Sequence, residues 1–194
     1  IEEQASVPPT RPRLAQGHMR YVATMEIDAT LLEALNPREL ILAYASGWFP
    51  MVEGGRLMWF SPDPRGLMPV DERFHVSRSL ARTIRRGRFV CTVDRAFEPV
   101  LELCATRPDE GTWISPEMHI AYLRLHELAV AHSVETWPAD AVGRGTPIGG
   151  LYGVALGGAF FAESMFHRVT DAGKVALVHL IELLRGSGFL LCDV

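Results

Sequence analysis

Ile148-Gly149-Gly150-Leu151-Tyr152-Gly153-Val154-Ala155-Leu156-Gly157-Gly158-Ala159-Phe160-Phe161-Ala162-Glu163-Ser164-Met165-Phe166 reads as two strands around a tight turn. Ile148–Leu156 and Ala159–Phe166 are rich in apolar and aromatic residues, and Gly157-Gly158 supplies the positive φ that a two-residue hairpin needs. Upstream, Ser133–Trp137 predicts a third strand. Downstream, Asp171 is placed to cap a helix over 172–186, Gly188 ends it, and Phe189–Val194 reads as a buried strand. The order is β-β-β-α-β, an antiparallel meander followed by a helix crossing to one more strand. It predicts an α+β fold whose mixed sheet resembles the core of the acetyl-CoA-dependent N-acetyltransferases, with flanking helices.

The first half carries shorter signals. Asn36, Pro37, Glu39 and Gly47 punctuate a helix over 37–46, followed by the apolar cluster Trp48-Phe49-Pro50-Met51. The prolines of Trp59-Phe60-Ser61-Pro62-Asp63-Pro64-Arg65 forbid helix and predict a turn-rich stretch. Ser77 caps a helix over 78–86, Phe89–Val93 alternates as a strand, and Asp94 is placed to cap a helix ending near 105. Ser115-Pro116 opens another, to about 129. Residues 1–24, with Pro8, Pro9 and Pro12, read as a mobile tail.

With 194 residues, 48% of them hydrophobic, the chain can bury a real core, which excludes a long disordered protein. No apolar run approaches the roughly 20 residues of a membrane span. Cys91, Cys104 and Cys192 are an odd set without Cys-x-x-Cys spacing, so they read as reduced thiols, and a cytoplasmic location is expected. Net charge is −4, yet residues 65–95 hold eight arginines against Asp71, Glu72 and Asp94. A basic window on an acidic chain points either to one anionic partner or to a solvated helix face.

Two carboxylates stand out. Strict alternation puts Phe161, Glu163 and Met165 on one face, and Phe160, Ala162, Ser164 and Phe166 on the other. A carboxylate among aromatics is either paired, for instance with Arg168, or functional. Asp193 sits near the end of the last strand, where it either faces a cleft or simply ends the strand. A coenzyme A enzyme would need a glycine-rich phosphate cradle between Phe166 and the next helix. Here Asp171 of Arg168-Val169-Thr170-Asp171-Ala172-Gly173 takes the critical glycine position and repels a pyrophosphate. Gly143-Arg144-Gly145-Thr146-Pro147-Ile148 fails as a dinucleotide loop, no histidine pair has metal-ligand spacing, and no Gly-x-Ser-x-Gly elbow occurs. No cofactor and no metal are expected. Trp113, ahead of the helix at Pro116, is either a core anchor or a platform for a nucleic-acid base.

Several motifs occur together and in order: Tyr44-Ala45-Ser46-Gly47-Trp48-Phe49-Pro50, Trp59–Arg65, His75-Val76-Ser77-Arg78-Ser79-Leu80, Thr112-Trp113-Ile114, Tyr122-x-x-Leu125-His126-Glu127-Leu128, Gly149-Gly150-Leu151-Tyr152-Gly153 and Glu163-Ser164-Met165-Phe166. Over about residues 28–194 the chain closely resembles the bacterial leucyl/phenylalanyl-tRNA–protein transferases. The resemblance implies transfer of Leu or Phe, and in part Met, from an aminoacyl-tRNA to the N-terminal Arg or Lys of an acceptor protein, which marks that protein for degradation by the N-end rule. It implies Leu-tRNA and Phe-tRNA as partners, no membrane, a monomer, and a small N-terminal domain over 25–70 ahead of an acetyltransferase-like catalytic domain over 71–194.

By position, the resemblance puts Trp113 on the terminal adenosine, with Met51 where many members carry a second platform tryptophan. Glu163 falls at the aminoacyl ester. Leu151, Phe160, Leu177, Leu180 and Leu184 fall at the pocket for the Leu or Phe side chain, positions that also suit plain core packing. Arg78, Arg82, Arg85 and Arg86 would hold acceptor-stem phosphates. Asp193 matches an aspartate thought to act through a glutamine two residues later, a position beyond Val194. On this resemblance the chain is expected to be C-terminally truncated, with an exposed last strand and weak activity on its own. Two alternatives are a coenzyme A-dependent N-acetyltransferase and a non-catalytic tRNA-binding remnant.

Overall fold

The computed structural model describes residues 28–53, 56–106 and 112–194. The proline-bearing tail expected over 1–24 lies outside them. The elements are α1 (Ala29–Ala34), α2 (Pro37–Ala45), β1 (Phe49–Glu53), β2 (Arg56–Phe60), β3 (Leu67–Met68), α3 (Arg78–Arg85), β4 (Phe89–Val93), α4 (Phe97–Ala105), α5 (Pro116–Glu127), β5 (Ala131–Pro138), β6 (Gly149–Leu156), β7 (Ala159–His167), α6 (Ala172–Gly186) and β8 (Leu191–Asp193).

β1 and β2 form a two-stranded antiparallel sheet, and the other six strands form one mixed sheet ordered β3-β8-β7-β6-β5-β4. Within it only β7 and β8 are parallel, joined by the α6 crossover. The expected β-β-β-α-β run is therefore present as β5-β6-β7-α6-β8. The last strand is shorter than expected and is not an edge. Leu67 and Met68 pair antiparallel with Asp193 and Cys192, so β3 covers the side of β8 away from β7.

Helices cover both faces. On one, α6 packs Ala176, Leu180, Ile181 and Leu184 against Val134, Leu151, Phe160 and Cys192. On the other, α1, α2, α4 and α5 enclose a larger core that includes Leu40, Tyr44, Leu101, Met118, Tyr122 and Tyr152. Asn36 and Ser115 cap α2 and α5 as the sequence predicts: their side chains accept from the N–H groups of Glu39 (3.1 Å) and Met118 (3.3 Å), and each helix has proline in its first turn. Ser77 does the same for α3. The Asp28 N–H donates to Glu117, tying the start of α1 to the first turn of α5.

Two expected caps do not form. Asp94 has φ 55° and accepts from the Ser133 N–H (2.8 Å) and from His132, so its carboxylate holds β5 instead of α4. The N–H groups of Arg95 and Ala96 turn to buried Glu135. Asp171 has φ 69° and makes no capping bond; its carboxylate accepts from the Thr83 hydroxyl of α3. The β1–β2 hairpin is also absent from the sequence reading, because Pro50 inside β1 and Pro62 and Pro64 just after β2 mask a strand pairing that Phe49 and Phe60 close by stacking at 6.0 Å.

β7 departs from strict alternation. Its register with β6 shifts between Tyr152 and Gly153: Tyr152 pairs with Ser164 but Gly153 with Ala162, leaving Glu163 as the extra residue of a bulge. Gly153 is required there, since a Cβ would lie 2.2 Å from the Phe161 carbonyl oxygen. The bulge reverses the phase beyond it. Phe161 and Phe166 both pack on the α5 side, whereas Met165 faces α6, where a Cβ on Gly173 would lie 3.2 Å from it. Met165 and Phe166 are therefore exchanged between faces relative to the expectation.

Candidate active site

At the bulge, Glu163 leaves the strand toward α2 and α5. The Tyr44 hydroxyl donates to its Oε1 at 2.6 Å and the Tyr122 hydroxyl to its Oε2 at 3.0 Å. The two phenol oxygens stand 2.6 Å apart. Arg168, the pairing partner considered from sequence, is not among its contacts. Loss of solvation pushes the Glu163 carboxyl up to about 7; the two phenols and Arg65 oppose the shift and Asp193 adds to it. Burial, together with the Glu163 charge, holds both tyrosines well above the usual phenol range, so they remain donors at neutral pH. Tyr152 packs edge-on against Tyr122 at 5.2 Å.

Asp193 has a different environment. Arg65 grips it through Nε to Oδ1 (2.9 Å) and Oδ2 (2.7 Å), and through Nη2 to Oδ2 (2.7 Å). The same guanidinium donates through Nη1 to the Gly47 carbonyl at 2.8 Å and lies 5.0 Å from the centre of the Phe49 ring. Arg65 thus joins the turn after α2 to the last strand and neutralises Asp193.

Both carboxylates line one cavity of about 180 Å³, whose walls include Met51, Pro62, Arg65, Trp113 and Phe161. The structure brings together four of the residues singled out from sequence: Met51, Trp113, Glu163 and Asp193. Trp113 is partly buried against the α5-side core and lines the cavity. The five apolar positions are elsewhere. Leu151, Phe160, Leu180 and Leu184 are buried and Leu177 partly so, all on the α6 face, and none lines the cavity. Arg78, Arg82, Arg85 and Arg86 are exposed on α3, and none has a carboxylate partner among the described residues.

The place where a coenzyme A pyrophosphate would sit is closed. A Cβ on Gly149 would meet Ala172 at 2.6 Å and one on Gly173 would meet the Phe166 carbonyl at 2.9 Å, so the first turn of α6 rests directly on the sheet. The Asp171 carboxylate occupies the rim, 3.9 Å from Lys174. Among the described residues no group of three or more acidic, cysteine or histidine side chains could hold a metal, and no helix is long and apolar enough to cross a membrane. All three cysteines are free thiols.

Residues 67–194 match the family described as leucyl/phenylalanyl-tRNA protein transferase, and residues 33–63 match that family's N-terminal domain. The chain belongs to this family. Among its relatives, the leucyl/phenylalanyl-tRNA–protein transferase of Herpetosiphon aurantiacus is 49% identical over 163 residues, 84% of this chain and 82% of that protein. That of Anaeromyxobacter sp. is 55% identical, covering 77% of this chain and 63% of the relative, and that of Gloeobacter violaceus is 50% identical, covering 84% and 81%. A solved structure of L-PGS from Bacillus licheniformis aligns with TM-score 0.45 and 12% identity over 82% of this chain and 50% of that one.

As a leucyl/phenylalanyl-tRNA–protein transferase by family, the chain is an aminoacyltransferase. The site holds three residues that sequence reasoning did not assign: Tyr44, Tyr122 and Arg65. Each lies inside a motif that carried the resemblance, but nothing local distinguishes a core tyrosine from one that holds a carboxylate 119 positions away.

Proposed function

We propose that the chain transfers Leu or Phe, and in part Met, from the 3′ end of an aminoacyl-tRNA to the N-terminal Arg or Lys of an acceptor protein. The observation that carries this reading is that Trp113, Met51, Glu163 and Asp193 line one and the same cavity. It supports a bound adenosine stacked at Trp113 with its aminoacyl ester directed to the carboxylates. The reaction is aminolysis of an ester. It needs the two reactants held together, the attacking amine freed of a proton, and charge on the carbonyl oxygen stabilised.

In this reading Arg78, Arg82, Arg85 and Arg86 meet acceptor-stem phosphates, which suits exposed guanidinium groups without acidic partners. The apolar layer of Leu151, Phe160, Leu177, Leu180 and Leu184 lies against β8 through Cys192, next to Asp193. A Leu or Phe side chain enters it only if that packing opens. The six-stranded sheet with its parallel β7–β8 crossover supports an acetyltransferase-like catalytic unit. The family matches, which meet between residues 63 and 67, support a small N-terminal domain before it. The protein acts as a cytoplasmic monomer and uses no cofactor.

The test is transfer of radiolabelled Phe or Leu from charged tRNA to a peptide beginning with Arg, with the Herpetosiphon relative as positive control. Label in the peptide is the expected result, with none in a peptide beginning with Gly. No label under conditions where the relative is active would overturn the reading. Trp113→Ala is expected to weaken aminoacyl-tRNA binding roughly tenfold, in line with about 1–3 kcal/mol for a base stacked on an aromatic ring.

A further inference from the structure

The two carboxylates of the cavity are not equivalent as bases. Both oxygens of Asp193 are held by the Arg65 guanidinium, so its lone pairs are already engaged by a fixed cation. Glu163 makes no ion pair among the described residues. Its partners are two phenols, and the three groups close a ring: Tyr44 to Oε1 at 2.6 Å, Tyr122 to Oε2 at 3.0 Å, and the two phenol oxygens 2.6 Å apart.

The protons on this ring can be counted. With Glu163 ionised, the two phenols supply two protons for three short contacts. When both donate to the carboxylate, the 2.6 Å Tyr44–Tyr122 contact has no hydrogen between its oxygens. With Glu163 protonated there are three protons for three contacts, and each of the three groups can donate once and accept once around the ring, one carboxyl oxygen donating and the other accepting. The arrangement is therefore able to take up and hold one proton beside the cavity. The titratable groups facing Glu163 are Tyr44 from α2, Tyr122 from α5, Tyr152 from β6, Arg65 ahead of β3, and Asp193 from β8. The tyrosines stay neutral, and Arg65 is engaged by Asp193.

We propose that Glu163, held by Tyr44 and Tyr122, is the group that takes the proton from the attacking amine and returns it to the leaving ribose oxygen, while Asp193, paired with Arg65, positions β8. This rests on the aminoacyl-transfer reading above. The acceptor nitrogen attacks the ester carbon, a C–N bond forms, and the carbonyl electron pair moves to oxygen. The nitrogen's proton passes to the Glu163 carboxylate. As the carbonyl re-forms, the bond to the ribose oxygen breaks and that oxygen takes the proton from Glu163. Ester and amine become amide and hydroxyl, and the enzyme is unchanged. Tyr44 and Tyr122 are positioning residues. A base with a raised carboxyl is matched to this task near neutral pH.

The test is single-turnover transfer from Phe-tRNA, with the chain in excess, across pH 5.5 to 8.5. Two acceptor peptides with different N-terminal amine pKa values are used. One limb of the pH profile should move with the acceptor and a second, near 7, should not. Glu163→Gln should lose the fixed limb and slow transfer about 100-fold or more, with Phe-tRNA binding within about threefold of the parent. Asp193→Asn, the second variant, should keep the fixed limb. A parent profile without it, its persistence in Glu163→Gln, or its loss in Asp193→Asn would each overturn the proposal. Absence of any transfer by the parent would instead remove the functional reading beneath it.

Discussion

On one face of the six-stranded sheet, α6 lays Ala176, Leu180, Ile181 and Leu184 onto Val134, Leu151, Phe160 and Cys192, a layer with no charged group in it. On the other, α2 and α5 bring Tyr44 and Tyr122 to Glu163, and Arg65 to Asp193 borders the same cavity. The same two strands, β7 and β8, serve both faces. Phe160 and Cys192 point to the dry side, Glu163 and Asp193 to the cavity. Period two does this for β8. It does so for Phe160 and Glu163 of β7 too; the bulge sets Glu163 out of register with β6 and reverses the residues beyond it. The faces differ in what holds them: shape and apolar area on one, matched donors and acceptors on the other.

That difference is open to attack at named positions. The largest effect is expected on the polar face. Arg65→Met leaves the Asp193 carboxylate, 8% exposed, without its counter-ion, and should cost about 3–4 kcal/mol in denaturant unfolding. On the apolar face, Leu180→Ala removes a side chain only 3% exposed and should cost about 3 kcal/mol through lost transfer energy and the cavity left behind. If Arg65→Met were nearly neutral while Leu180→Ala kept its cost, the polar face would not be held by ion pairing.

A pH experiment sharpens the contrast. Glu163 has its folded carboxyl raised to about 7 against about 4.3 in an unfolded chain. Its contribution to stability is thus complete below about pH 4 and is lost as pH rises through 7. Glu163→Gln should gain on the parent by on the order of 2–3 kcal/mol between pH 5 and pH 8, read from unfolding curves at each pH. Leu180→Ala should show no such dependence. The smallest effect belongs to the exposed helix α3, where Arg85→Ala plus Arg86→Ala should leave stability within about 0.5 kcal/mol. In the proposed function this pair lowers the slope of log affinity for aminoacyl-tRNA against log salt by about 1.5 to 2.

The legible parts of the fold were those set by local rules. Gly157 with φ 58°, the apolar runs around it and the Ser/Asn-Pro helix starts mark β6, β7, α2 and α5 within a residue or two. Asp94 and Asp171 misled for a physical reason. An aspartate before a helix is a local capping signal, but at each of them tertiary contacts with Ser133 and His132, or with Thr83, compete for the carboxylate. The β1–β2 hairpin and two-residue β3 carry too little pattern to be seen, and β3 exists only because β8 offers it an edge. Of the site, the family motifs pointed to Trp113, Met51, Glu163 and Asp193, and those four do meet.

The sequence by itself determined the class of fold, the β-β-β-α-β order, the family and the two acidic positions, because periodicity, punctuation and motif order are properties of neighbouring residues. Only the tertiary structure decided what those acids are to each other. Tyr44 and Tyr122 are 78 positions apart, and Arg65 and Asp193 are 128 apart. Whether a carboxylate is met by two phenols or by a guanidinium depends on which distant elements the sheet and its bulge bring against it, and that environment sets whether the group gives up or keeps a proton.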